Sequence, residues 1–229
     1  NYPPETKRNT RSGLALFSGK INDKKYDLMI SGPGVFNAAH AASVYFETNS
    51  ASLFLNTGIA GVFSQTNAMI GDIGVASLEA YLHYGVKKEA PALAPLPFEL
   101  INDMPMTSKG QYKFDSELVN RCCNALETAV KSSEVQVLKG PFLTVSAISG
   151  SDSVAKQRYQ LNESIMEAME GAACAHVAFL HEIPFAEVRS ASNIVGERDK
   201  EKWDFDLAGR RVSRICEVIS SVSDNLRSG

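Results

Sequence analysis

The chain has 229 residues, 44% hydrophobic and 21% charged, with a formal net charge of -3; such figures describe one globular domain, or at most two small ones. No long basic stripe suggests nucleic acid as a partner, and no apolar run approaches the ~20 residues that cross a bilayer. The cysteines, Cys122, Cys123, Cys174 and Cys216, show neither a C-x-x-C pair nor a Cys/His metal spacing, so no metal is expected and a reducing cytoplasm fits.

The opening, NYPPETKRNTRSG, is polar and patternless. It is expected to be a loop, in a chain whose first strand is missing. Residues 14–17 and 26–31 read as strands about a turn at Asn22-Asp23-Lys24. Ser31-Gly32-Pro33-Gly34 leads into an alanine-rich helix from Asn37. Its N-terminus is either aimed at a ligand or the end of a plain tight turn. Residues 52–56 read as a strand buried on both faces, ending in a second glycine-containing turn, Thr57-Gly58-Ile59-Ala60-Gly61. Residues 71–76 restart a strand, and Tyr81, His83 and Tyr84 come after it. Four prolines between Pro91 and Pro105 mark a loop, a candidate lid or partner surface.

Residues 115–131 form a helix by the spacing of Leu118, Cys122, Leu126 and Val130. Residues 135–148 read as a long or bent strand. Ser151 or Asp152 caps a helix over 153–160. A small-residue helix then carries Glu170 near its start, a turn at Pro184 comes next, and an apolar strand ends in Ser192-Asn193. A terminal helix spans 206–226. One α/β domain is the economical reading, with ligands expected where strands end beside helix N-termini.

Glu170 has two readings: a carboxylate favoured by the helix dipole, or an acceptor for the two hydroxyls of a vicinal diol such as ribose. Asn193 either bonds its own backbone or reads the edge of a heterocycle, since its amide both donates and accepts. His40, His83, His176 and His181 have no Ser or Cys partner pattern, and His176 reads as a satisfied core histidine. Arg198, Asp199, Lys200 and Lys202 form a charged loop directly after the candidate site.

The segments NTGIAG, GDIGVAS, SVAKQR and AMEGAACAHVAFLHEIPFAEVRSASN together resemble the nucleoside phosphorylase/nucleosidase superfamily. They are most similar to the branch containing methylthioadenosine/S-adenosylhomocysteine nucleosidase. Within it, SNIVGERDKEKW resembles the futalosine hydrolases of the alternative menaquinone pathway. The resemblance runs from about Phe17 onward. It implies a central twisted mixed β-sheet flanked by helices, with no cofactor, a small-molecule nucleoside substrate, and a homo-oligomer, dimer or larger. It also implies that Met169 and Glu170 hold the ribose. Residues 146–149, Ala147 and Ile148 among them, would contact the purine together with Asn193, while Ile59, Ala60 and Gly61 lie beside the sugar and the attacking water. Tyr81, His83, Arg198 and Lys202 are candidates to meet the aromatic carboxylate tail of futalosine.

Two departures sharpen the expectation. Adenine-releasing relatives carry Asp where this chain has Asn193. An Asp can protonate N7 of the leaving base, whereas the amide suits N7 with a 6-oxo group, as in hypoxanthine. Phosphorylases carry Arg and Ser where Asn56 and Ile59 stand, so water is the expected nucleophile. The family's water-activating Glu comes after its first strand and has no counterpart in the opening, for Glu5 lacks a strand before it; either the chain is truncated or that role is absent. The alternatives are a purine nucleoside phosphorylase, a methylthioadenosine/S-adenosylhomocysteine nucleosidase, and a non-catalytic nucleoside-binding or storage protein.

Overall fold

Asn22 and Asp23 both take positive φ, 50° and 64°, the backbone that a two-residue hairpin turn requires. In the computed structural model, which describes residues 2–89, 92–130 and 135–222, they join β2 (Ala15–Ile21) to β3 (Lys24–Met29). The opening is not wholly a loop, since β1 (Thr6–Asn9) pairs antiparallel with β2. All four of its residues are exposed, so it is held by its ladder and needs no apolar pattern. After it, α1 (Val35–Phe46) begins at Gly34, whose φ of 95° favours glycine.

The second sheet holds the core. Its strands are β4 (Phe54–Val62), β5 (Ile73–Tyr81), β6 (Gln111–Lys113), β7 (Val137–Thr144), β8 (Met166–Ala168) and β9 (Phe185–Ile194). Their order is β6-β5-β7-β8-β4-β9, and β5 pairs again with β9, so five of the six close on themselves. The pairing is mixed: β4 with β9 and β5 with β7 are parallel, and β5 with β9 is antiparallel. Helices α2 (Ser116–Ala129), α4 (Gly171–Leu180) and α5 (Phe205–Ile219) pack on this sheet, and α1 packs on α4. Asp115, Ser151 and Asp204 cap α2, α3 (Asp152–Asn162) and α5 through backbone N–H groups three residues on.

Several expectations change. The glycine-containing turn at 57–61 is strand. Its glycines serve close approach: a Cβ on Gly58 would meet Arg189 Nη1 at 3.3 Å, and one on Gly61 would meet Val195 Cγ2 at 2.9 Å and Asn193 Nδ2 at 3.2 Å. Residues 54–58 are half-buried and Ile59 is 38% exposed, so β4 is not buried on both faces. It pairs with β9 along its length but with β8 only at Gly61 and Val62. Among the described residues its edge from Phe54 to Ala60 is otherwise open. The strand expected over 135–148 stops at Thr144, and Pro141, which cannot donate to a ladder, sits opposite a bulge in β5. Helix α5 ends at Ile219, and the expected continuation past 222 lies outside the described residues, as do Pro91 and Lys131.

His176 is half-buried rather than in the core, and is paired with Tyr112 Oη at 3.0 Å. Cys122, Cys123 and Cys174 are buried free thiols, and burial pushes Cys122 up to about 12. No helix is long and apolar enough to cross a membrane, and no His/Cys/Asp/Glu group suits a metal ion, among the described residues.

Candidate active site

Glu170 stands at the junction of two helix N-termini. It is the residue immediately before α4, and its side chain turns away from that helix's own N–H groups. Oε1 instead accepts the backbone N–H of Gly34, at the start of α1, at 2.9 Å. Oε2 lies 3.1 Å from Arg189 Nη2 and accepts the Met169 N–H at 3.3 Å. The glycine turn before α1 thus meets a carboxylate of this chain. Glu170 is anchored by these contacts and keeps 16% of its side chain exposed, and a carboxylate has lone pairs beyond those three to offer a diol.

Beneath it lies a buried network. Arg189 is 3% exposed. It donates from Nε to Glu187 Oε1 at 2.6 Å and from Nη1 to Ile59 O at 3.1 Å. Burial alone would lower its pKa, but the charges of Glu187 and Glu170 outweigh that and raise it. Glu79, on β5, is wholly buried and accepts Thr144 Oγ–H at 2.6 Å. Burial first, and then the charge of Glu187, hold Glu79 well above the usual carboxylate range, against the opposing Thr144 bond. Gly171 opens α4 here because any Cβ would overlap Glu79 and Glu187.

Asn193 owes its place to a bulge. Ala60 pairs with Ala191 and Gly61 with Asn193, so Ser192 is an extra residue on β9 and re-aims the residues after it. Asn193 Oδ1 accepts from Ser192 Oγ at 2.9 Å and Nδ2 donates to Ile194 O at 3.1 Å. Those bonds use one lone pair and one N–H, leaving one of each for a heterocycle edge. Gly61 faces Asn193 in β9 and Glu167 in β8, so one glycine stands between the two strands that deliver Asn193 and Glu170.

The loop over 146–149 is fixed by groups with no evident sequence pattern. Glu167, 7% exposed, accepts Ser149 N–H at 2.8 Å, Ser149 Oγ–H at 2.7 Å and Arg158 Nη1 at 2.8 Å. Arg158 Nη2 donates to Ala147 O at 2.8 Å. Ile148 is left 45% exposed. Tyr81 Oη bonds Ser146 Oγ at 2.6 Å, and the Ser146 N–H reaches His83 Nδ1 at 3.4 Å. Burial first, then the Arg158 charge, lower the His83 pKa.

The structure thus joins Glu170 and Ile59 through Arg189, Met169 to Glu170 through its N–H, and Ala60, Gly61 and Asn193 through the β4–β9 ladder. Tyr81, Ala147 and Ile148 gather at the neighbouring loop. Arg198 and Lys202 keep to their own loop: Arg198 stacks 4.9 Å from the Trp203 ring centre, and Lys202 pairs with Glu197 at 2.6 Å. Sequence reasoning missed Arg189, Glu187, Glu79, Arg158 and Glu167. The alternation of Glu187, Val188 and Arg189 looks like one solvent-facing side of a strand, and only closure of the sheet buries both charges.

A family model described as the phosphorylase superfamily matches residues 2–225. The 5′-methylthioadenosine/S-adenosylhomocysteine nucleosidase of Oceanobacillus iheyensis is 28% identical over 206 residues, covering 89% of this chain and 84% of that protein. The nucleosidase of the same name from Neisseria meningitidis, solved with methylthio-immucillin-A, superposes with a TM-score of 0.78 at 22% identity over 95% of this chain and 91% of that one. That of Colwellia psychrerythraea, solved with adenine, gives 0.78 at 21% identity over 96% and 87%. The two solved structures establish a likeness of fold.

Proposed function

The chain belongs to the phosphorylase superfamily, and from that premise we propose that it hydrolyses the N-ribosidic bond of a purine nucleoside. The observation that carries this reading is Glu170, fastened by Gly34 N–H and Arg189 and still partly exposed. Two ribose hydroxyls donating to that carboxylate orient the sugar. As the bond to the base breaks, positive charge grows on the ribose, and a nearby carboxylate stabilises it. Met169 and Ile59, half-buried and exposed respectively, offer apolar cover for the sugar.

Water is the proposed nucleophile. The cation beside the 57–61 segment, Arg189, already faces Glu187, Glu170 and Ile59 O, and those two carboxylates would repel a phosphate dianion drawn to it.

Within this class we propose futalosine as the substrate and hypoxanthine as the released base. The remaining N–H and lone pair of Asn193 match N7 and the 6-oxo edge through bonds that an amide makes without giving up a proton. A buried mismatch costs about 1–3 kcal/mol, enough to choose between bases. The 28% identity to a methylthioadenosine/S-adenosylhomocysteine nucleosidase favours a second reading, release of adenine. Chromatography of the bases released from each nucleoside separates the two. We further propose a homo-oligomer that uses the proline-rich loop, where Phe98 is 60% exposed.

A further inference from the structure

Two buried carboxyl groups behind Glu170 take no part in the reaction set out above. Glu79 and Glu187 are both 0% exposed, and their donors can be assigned one by one. Thr144 Oγ receives the Ala172 N–H at 2.9 Å, so its own proton goes to Glu79 Oε2 at 2.6 Å. Glu187 Oε1 is taken by Arg189 Nε–H at 2.6 Å. The other two oxygens, Glu79 Oε1 and Glu187 Oε2, are buried without a hydrogen-bond partner. They flank one point, the place of the missing Cβ of Gly171, where an added carbon would overlap each. Two bare carboxylate oxygens so placed cannot both stay ionised.

We infer that Glu79 and Glu187 share one proton, carried on Glu79 Oε1 and donated to Glu187 Oε2, and that Glu187 acts through Arg189 as a positioning residue for Glu170. Arg189 is the link. Nε is held by Glu187, Nη1 by Ile59 O, and Nη2 is left against Glu170 Oε2 at 3.1 Å. The Glu187 charge absorbs much of the guanidinium's attraction. Glu170 is therefore aligned without being captured, and its lone pairs stay available to the diol. Cys174 on α4 also lies beside the cluster, and burial raises its thiol, so that it adds no charge. The positioning role rests on the nucleosidase reading; the shared proton does not.

Infrared spectra and kinetics of the full chain test both parts, using Glu79→Gln and Glu187→Gln. The wild type should show, at neutral pH, the deuterium-sensitive carbonyl stretch of a buried carboxylic acid. Either variant should lose it, because the new amide supplies the missing donor. Glu79→Gln mimics the protonated acid and should keep KM within about twofold of wild type. Glu187→Gln frees Arg189 to capture Glu170 and should raise KM about tenfold with kcat within about threefold. A wild type without the band, a band surviving in both variants, or equal KM changes in the two would overturn the inference. Should Glu187→Gln fail to fold, a tenfold rise in KM for Glu79→Gln would overturn it alone. If no nucleoside is bound or cleaved, the nucleosidase reading and the positioning role fall together, and the band still decides the proton.

Discussion

The Gly34 N–H donates to Glu170 Oε1 at 2.9 Å across 136 positions of sequence. The start of α1 is thereby fastened to the start of α4, and the carboxylate proposed to hold the ribose is fixed by backbone. A side chain held this way loses little freedom on binding, which is what preorganisation means here.

Replacing Glu170 with Gln keeps its shape but removes its charge and one acceptor pair. Charge-assisted hydrogen bonds are each worth about 1.5–3 kcal/mol. Steady-state kinetics should show kcat/KM lower by about 10²-fold, with the thermal midpoint lowered as well, since the amide N–H2 must face either the Gly34 N–H or the Met169 N–H and Arg189.

Gly171→Ala should unfold the chain or destabilise it by about 3 kcal/mol, the upper range of overpacking penalties. The added methyl has no space between Glu79 and Glu187. Urea titration followed by circular dichroism measures it.

Arg158→Ala removes one of three donors to Glu167 and the bond to Ala147 O. The Arg158–Glu167 pair is 12% and 6% exposed, so stability should fall by about 2 kcal/mol. If the loop over 146–149 contacts the base, KM should rise more than kcat falls, which substrate titration at fixed enzyme will show.

His176 yields a pH prediction. Burial lowers its pKa from the ordinary 6.5. A depressed folded value means that its contribution is fully present above the unfolded value and is lost as pH falls from 6.5 toward the folded one. Unfolding free energy measured across that window should decline on acidification, and His176→Gln should flatten the decline.

Asn193→Asp introduces a group that can protonate N7 and removes the amide donor to Ile194 O. Base preference should move toward 6-amino purines, read as the ratio of adenine to hypoxanthine released from competing nucleosides. An unchanged ratio removes Asn193 from base recognition.

The stretch through α4 and β9 was legible because small residues, a proline turn and an apolar run each have a local cause. Glu170 was legible as an acid at a helix start. The turn expected at 57–61 failed because glycine signals a bend and a close neighbour equally, and the neighbours, Arg189, Val195 and Asn193, come from far along the chain. Glu187 and Arg189 were hidden for a related reason. Alternation shows that two residues share a strand face, but only the β5–β9 pairing turns that face inward. The β1 strand was missed since an exposed ladder leaves no apolar trace.

The most direct measurement incubates the full-length protein with futalosine, inosine and methylthioadenosine, with and without phosphate, and identifies the bases and sugars formed. The account predicts hypoxanthine and a free ribose end from futalosine in the absence of phosphate. A strict requirement for phosphate, with a ribose 1-phosphate product, would contradict it.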